Sequence, residues 1–124
     1  MRVVFQLGDL RPEALSVLLG ALTRINVAYL TRHPATPALY RAGVRYRAER
    51  WRQEDWQDIP TTLKRRQGDC EDLACWRAAE LRVAGDPGAQ AVFRVRATNA
   101  GPLFHILVRH GSGRIEDPSK LLGM

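Results

Sequence analysis

Residues 68–82 read Gly68-Asp69-Cys70-Glu71-Asp72-Leu73-Ala74-Cys75-Trp76-Arg77-Ala78-Ala79-Glu80-Leu81-Arg82. Alanine, leucine, glutamate and arginine dominate its second half, and all four are strong helix formers. Asp69 suits the N-cap, and Asp72 sits three residues on, where a carboxylate favours a helix N-terminus. Gly85-Asp86-Pro87-Gly88 ends the pattern. The spacing predicts a helix whose first turn carries Cys70.

Two or three strands are expected after it. Ala91 to Ala97 alternates Val92, Arg94 and Arg96 against Phe93 and Val95. Asn99-Ala100-Gly101-Pro102 reads as a turn, and Leu103 to Val108 is apolar apart from His105. Gly111-Ser112-Gly113 reads as a tight turn into Arg114-Ile115-Glu116, and Pro118 stops that strand. Upstream, Val3 to Leu7 reads as a short strand. Asp9 or a neighbour caps a helix with Pro12 in its first turn. Leu15, Leu18, Leu19, Leu22, Ile25 and Tyr29 follow at helical spacing, and this helix stops before Pro34. Residues 39–60 read as an irregular segment over the domain, and Thr61 to Gln67 as a short helix broken by Gly68.

The chain has 124 residues, enough for one domain with its own core. Hydrophobic residues are 45% and charged residues 26%, which excludes disorder as a description of the whole. The net charge of +6 is scattered, with Lys64-Arg65-Arg66 the densest cluster, and no nucleic-acid-binding motif is present. No specific nucleic-acid partner and no membrane partner are therefore expected. No stretch reads as a bilayer span, because Ser16 and Gly20 break the run Ala14 to Leu22. The N-terminus lacks a signal-peptide layout. Cys70 and Cys75, five apart on one helix, point about 140° from each other, so no disulfide joins them. A reducing compartment, and hence a cytoplasmic location, is expected. There is no HExxH and no zinc-type Cys/His cluster, so no metal is expected.

A thiol attacks carbonyls as thiolate, and a helix N-terminus favours that anion. Cys70 occupies such a position, between the polar Asp69 and Glu71, which argue against simple burial. Cys75, beside Ala74 and Trp76, reads as a structural thiol. A cysteine nucleophile needs a base with an orienting partner. His33, beside Pro34, reads as a helix-ending residue. His105 and His110 compete for the role of base. With a three-residue loop at 111–113, His110 pairs with Arg114 and Leu107 with Asp117. His105 then lies diagonally beside Asp117 on one face, with His110 on the other. A two-residue loop reverses this assignment. Asp117 before Pro118 also suits a turn.

Three segments carry a family resemblance: Gly68-Asp69-Cys70-Glu71-Asp72-Leu73-Ala74, Phe104-His105-Ile106-Leu107-Val108 and Glu116-Asp117-Pro118-Ser119. They resemble the nucleophile helix, histidine strand and Asp-Pro segment of bacterial transglutaminase-like cysteine proteases, over roughly residues 40–124. The short chain also resembles small proteins encoded among bacteriophage structural genes, for which a virion-associated location is the alternative. The resemblance implies an α+β, papain-like core in a single domain, 1–124. Residues 1–38 form an N-terminal strand and helix, and 39–124 the catalytic part.

It also implies a Cys70, His105, Asp117 triad acting on protein or peptide amides. Water as acceptor gives a peptidase or amidase; an amine gives crosslinking. Gln67 and Trp56 are the candidate oxyanion or substrate-binding side chains. Trp51, Trp56 and Tyr46 line a groove or fill the core, with core favoured. No cofactor is implied; calcium near Asp69 and Glu71 is the lesser alternative, since two carboxylates fall far short of six to eight oxygens. The interval from His105 to Asp117 is short for this family, and no bulky aromatic follows His105. The rival reading is a catalytically silent phage assembly protein that uses the same fold for binding.

Overall fold

The computed structural model describes residues 2–6, 12–48 and 53–124. Strand β1 (Arg2–Gln6) precedes helix α1 (Pro12–Arg32), a 3-10 turn (Leu39–Arg41) and strands β2 (Arg45–Tyr46) and β3 (Gln53–Gln57). Helix α2 (Ile59–Arg65), strand β4 (Gln67–Gly68) and helix α3 (Cys70–Val83) follow. Strands β5 (Gln90–Thr98), β6 (Gly101–Arg109) and β7 (Ile115–Glu116) and helix α4 (Pro118–Leu121) complete an α+β fold. The expected cap at Asp9, Leu7 and Trp51 lie outside the described residues.

Helix α3 lies at the centre and packs against α1 and β6. Leu15, Leu19 and Leu22 of α1 meet Cys70, Ala74, Cys75 and Ala78 of α3, with Ile106 and Val108 of β6 in the same core. A second cluster puts Leu73 and Trp76 against Leu39, Val44 and Ile59. The alanines of α3 are fully buried, which lets neighbouring elements approach its axis closely.

Residues 39–48 and 53–60 hold more regular structure than expected. Strand β3 pairs antiparallel with β1, Val3 facing Trp56, and β2 pairs in parallel with β4. Their pairing partners are distant in sequence, so local patterning does not reveal them. Pro118 ends β7 as expected but also opens α4, with Asp117 as its N-cap.

Helix α1 corrects a second expectation. Its 21 residues are long and apolar enough to cross a bilayer by length and composition, despite Ser16 and Gly20. It buries Leu15, Leu19, Leu22, Thr23 and Asn26. Asn26 is fully buried, and its Oδ1 accepts the Ile59 N–H at 3.0 Å, which ties α1 to the start of α2.

Asn26→Ala leaves that buried N–H without its acceptor, at an expected cost of about 1–3 kcal/mol. The measurement is urea unfolding, where the midpoint should fall at constant slope. An unmoved midpoint would contradict the role given to Asn26.

Candidate active site

The site is assembled on the first turn of α3. Asp69 is the N-cap, its Oδ1 accepting the Cys70 N–H at 2.7 Å. Asp72 returns the contact by accepting the Asp69 N–H at 3.0 Å, which completes a capping box. The Asp72 carboxylate is buried and also accepts from the Gln57 backbone N–H (2.7 Å) and Gln57 Nε2 (3.1 Å). Burial pushes its pKa up, and these N–H donors pull the other way. Gln57 then donates to the Gln67 carbonyl and accepts from Arg65. The residue before Cys70 is thereby fixed from two sides.

Gly68 is required by close approach. A Cβ there would lie 3.1 Å from Asp72 Cβ, 3.2 Å from Leu73 Cδ2 and 3.3 Å from Thr62 Cγ2.

Cys70 opens α3 as expected, but it is only 8% exposed. Its polar neighbours do not keep it at the surface, because Glu71 is itself buried. The thiol donates to Glu71 Oε2 at 3.3 Å. Burial, then the Glu71 and Asp69 carboxylates, push the thiol far up, while the Ile106 backbone N–H opposes them. The expected preference for thiolate is therefore reversed: two adjacent carboxylates and burial outweigh the helix terminus. Cys75 is fully buried and donates toward the Leu19 carbonyl at 3.5 Å, a structural role.

The β6–β7 register has Val108 facing Glu116 and Arg109 facing Ile115, and His110 N–H bonds to the Arg114 carbonyl. This is the three-residue loop. His105 Nε2 meets Asp117 Oδ2 at 2.8 Å, with side chains 28% and 18% exposed, so solvent reaches the pair. Nδ1 is left as the ring nitrogen for a further partner. No hydrogen bond joins His105 to Cys70; the thiol is held by Glu71 instead. Ile106, the neighbour of His105, meets the thiol through its backbone N–H and shares the core of α3 with Val108.

His110 forms the second histidine–acid pair, on the face toward α3. Its Nε2 meets Glu116 Oε1 at 2.8 Å. Glu116 Oε2 accepts from Arg77 Nε at 2.7 Å and from the Tyr40 hydroxyl. Arg77 and Trp76 also bond to Glu80, which accepts the Leu39 N–H at 2.8 Å. This network clamps the 3-10 turn, α3 and the β6–β7 hairpin together. Burial raises the Glu116 pKa, and the bonds from Arg77, Tyr40 and His110 more than offset it, so it sits below the ordinary range.

Of the other expected site residues, Gln67 is half-buried on β4, its Oε1 accepting from Arg47 at 3.1 Å. Trp56 is buried in the main core, in the same cluster as Cys70. Tyr46, read from the sequence as a groove or core residue, is half-buried and packs against both hydrophobic clusters. Burial, with the Asp69, Glu71 and Asp117 carboxylates, pushes its phenol up to about 12, so it is a neutral donor among them. His33 stacks on Tyr29 at 4.3 Å, away from this chemistry. Among the described residues, Asp69, Cys70 and Glu71 bring three potential metal-ligand atoms within 4.8 Å of one another. One thiol and two carboxylates do not meet calcium's oxygen requirement, and helix capping already employs Asp69.

No protein-family model, curated protein or solved structure matches this chain.

Two outcomes follow from the electrostatics. With Cys75→Ser so that one thiol reports, Glu71→Gln should make Cys70 alkylation about tenfold faster near neutral pH; an unchanged rate would remove Glu71 as the group holding the proton. Glu116, held low when folded, adds stability that is full above its unfolded value of about 4.3 and is lost as pH falls through the lower folded value. Glu116→Gln should flatten this acid limb of the stability curve, and superimposable limbs would exclude the clamp.

Proposed function

We propose that the chain is a cysteine-nucleophile acyl-transfer enzyme with a papain-like, transglutaminase-like core, acting on protein or peptide amides. The observation that carries the reading is the 2.8 Å bond between His105 Nε2 and Asp117 Oδ2, at the register the triad requires. A second support is Cys70 at the first position of the central helix, beneath the Ile106 N–H. The three local motifs are the third.

Asp117 holds the imidazole so that Nδ1 faces outward to receive a proton, as the acid of a triad does. The resting thiol is protonated and bound to Glu71. For reaction it must rotate from Glu71 to Nδ1 and pass its proton to the ring. The sulfur then bonds to the amide carbon, the C–N bond breaks, and the imidazolium protonates the departing amine. Water, giving up a proton to the ring, releases the acyl group as an acid; an amine releases it as a new amide. The Cys70 backbone N–H is already taken by Asp69, so the Gln67 side-chain amide is the donor offered to a developing oxyanion.

One observation favours a second reading. Cys70 is buried, its thiol is pushed up, and it has no hydrogen bond to His105. These are the properties of a fold retained for binding, as in a silent phage assembly protein.

Iodoacetamide labelling separates the two. In a Cys75→Ser background, the enzyme reading predicts alkylation of Cys70 faster than a free model thiol at about pH 6, where a free thiol of pKa about 8.5 is almost wholly protonated. His105→Ala should abolish the advantage. Labelling no faster than the model thiol would sink the enzyme and leave the binding fold.

A further inference from the structure

The β5–β6 hairpin, residues 90–109, contains Arg94, Arg96 and Arg109 and no aspartate or glutamate. Its register sets Arg94 directly opposite His105, and Arg96 opposite Leu103. Residues paired across an antiparallel ladder share a face, with Cβ atoms about 4.5–5.5 Å apart, and diagonal neighbours remain within reach of long side chains. Arg94 and Arg96 therefore flank His105 on one face of the sheet. Both are exposed, and among the described residues neither has a carboxylate partner. The one acid near His105 on this face, Asp117, is engaged by the ring itself.

At the root of the same hairpin lies a groove of about 250 Å³. Arg82 and Arg109 line it, together with Ser16, Gly20 and four consecutive residues of β5, 90–93. Consecutive residues point to opposite faces, so the groove runs along the free edge of β5. Among the described residues β5 pairs with β6 alone, and such an edge is the usual template for an added strand. The Arg82 guanidinium is oriented by its Nε bond to the Ala89 carbonyl at 2.7 Å, and no acid lines the groove.

We infer that the β5 edge and its arginines dock an extended acidic polypeptide segment, bringing it to the His105–Asp117 pair. The inference deepens the amide-directed reading above and names its substrate class. Alternate side chains of an extended peptide are spaced about 6.6–6.8 Å apart, the same pitch that separates Arg94 from Arg96 along β5. Carboxylates at alternate positions then meet successive guanidiniums, which bind carboxylates bidentately. A single-stranded nucleic acid fits less well. It is held by aromatic platforms, and the face bearing Arg94 and Arg96 has no Phe, Tyr or Trp among Gln90, Val92, Leu103 and Leu107.

The test is fluorescence anisotropy on the full chain, with a labelled peptide bearing glutamate at alternate positions, its glutamine analogue, and a single-stranded oligonucleotide of equal charge. The glutamate peptide should bind most tightly. Arg94→Gln with Arg96→Gln should weaken it by about tenfold, from two ion pairs. The control pair Arg24→Gln with Arg32→Gln, exposed on α1, removes the same charge and should leave binding nearly unchanged. Equal loss in both pairs, equal binding of the glutamine analogue, or tighter binding of the oligonucleotide would each overturn the inference. Binding does not need the thiol, so Cys70→Ser should retain it. Acidic-peptide binding by a chain whose Cys70 is inert leaves this docking site standing and removes the enzyme. Turnover of amides with no preference for acidic flanks removes the docking site alone.

Discussion

A three-residue turn at Gly111-Ser112-Gly113 fixes how β6 and β7 face each other, and both histidine–acid pairs depend on it. Gly113, at φ +95°, takes the left-handed conformation that such a turn needs. With Val108 facing Glu116, odd-numbered side chains of β6 gather on one face and even-numbered ones on the other. His105 thereby meets Asp117 on one face, and His110 meets Glu116 on the other, beside Arg77 of α3. A slip of one residue would exchange the faces and dissolve both pairs. The Glu116 network anchors this register mechanically: Arg77 and Tyr40 hold the hairpin against α3, so the position of Asp117 is set from outside the exposed pair.

The thiol is governed by a competition at the mouth of α3. The helix terminus and the Ile106 N–H favour its anion, while burial, Glu71 and Asp69 favour the proton. Burial dominates because a charge in a low-dielectric site loses more hydration than a partial dipole returns. Glu71, the immediate sequence neighbour, adds to burial in keeping the proton on the sulfur. The same capping arrangement that makes Asp69 and Asp72 good helix starters brings negative charge to the sulfur. Helix capping and thiolate formation pull against each other here.

The scaffold underneath is held by polar contacts as much as by apolar packing. Asp72, Gln57 and Arg65 join α3, β3 and α2, and Asn26 joins α1 to α2. Asp72, Gln57 and Asn26 are buried and each satisfies a backbone group, while the exposed Arg65 donates to the Gln57 side chain. Such networks specify one arrangement because a displaced partner leaves a buried polar group unsatisfied. They also explain why the first turn of α3 is positioned from several directions at once.

The amino-acid sequence alone determined the helix from Cys70, its Asp69–Asp72 capping and the long helix to Arg32, and it made the pairing of His105 with Asp117 depend on a three-residue turn. These follow from local chemistry: capping side chains, 3.6- and 2-residue periodicity, and the length of a glycine-bounded turn. Tertiary structure decided the rest. The pairing of β1 with β3, the inward turn of Glu71, the burial of the Cys70 sulfur and the clamp joining Tyr40, Arg77 and Glu116 all bring together residues from different elements. Desolvation is a property of surroundings, and a linear pattern carries no measure of how deeply a side chain will be covered.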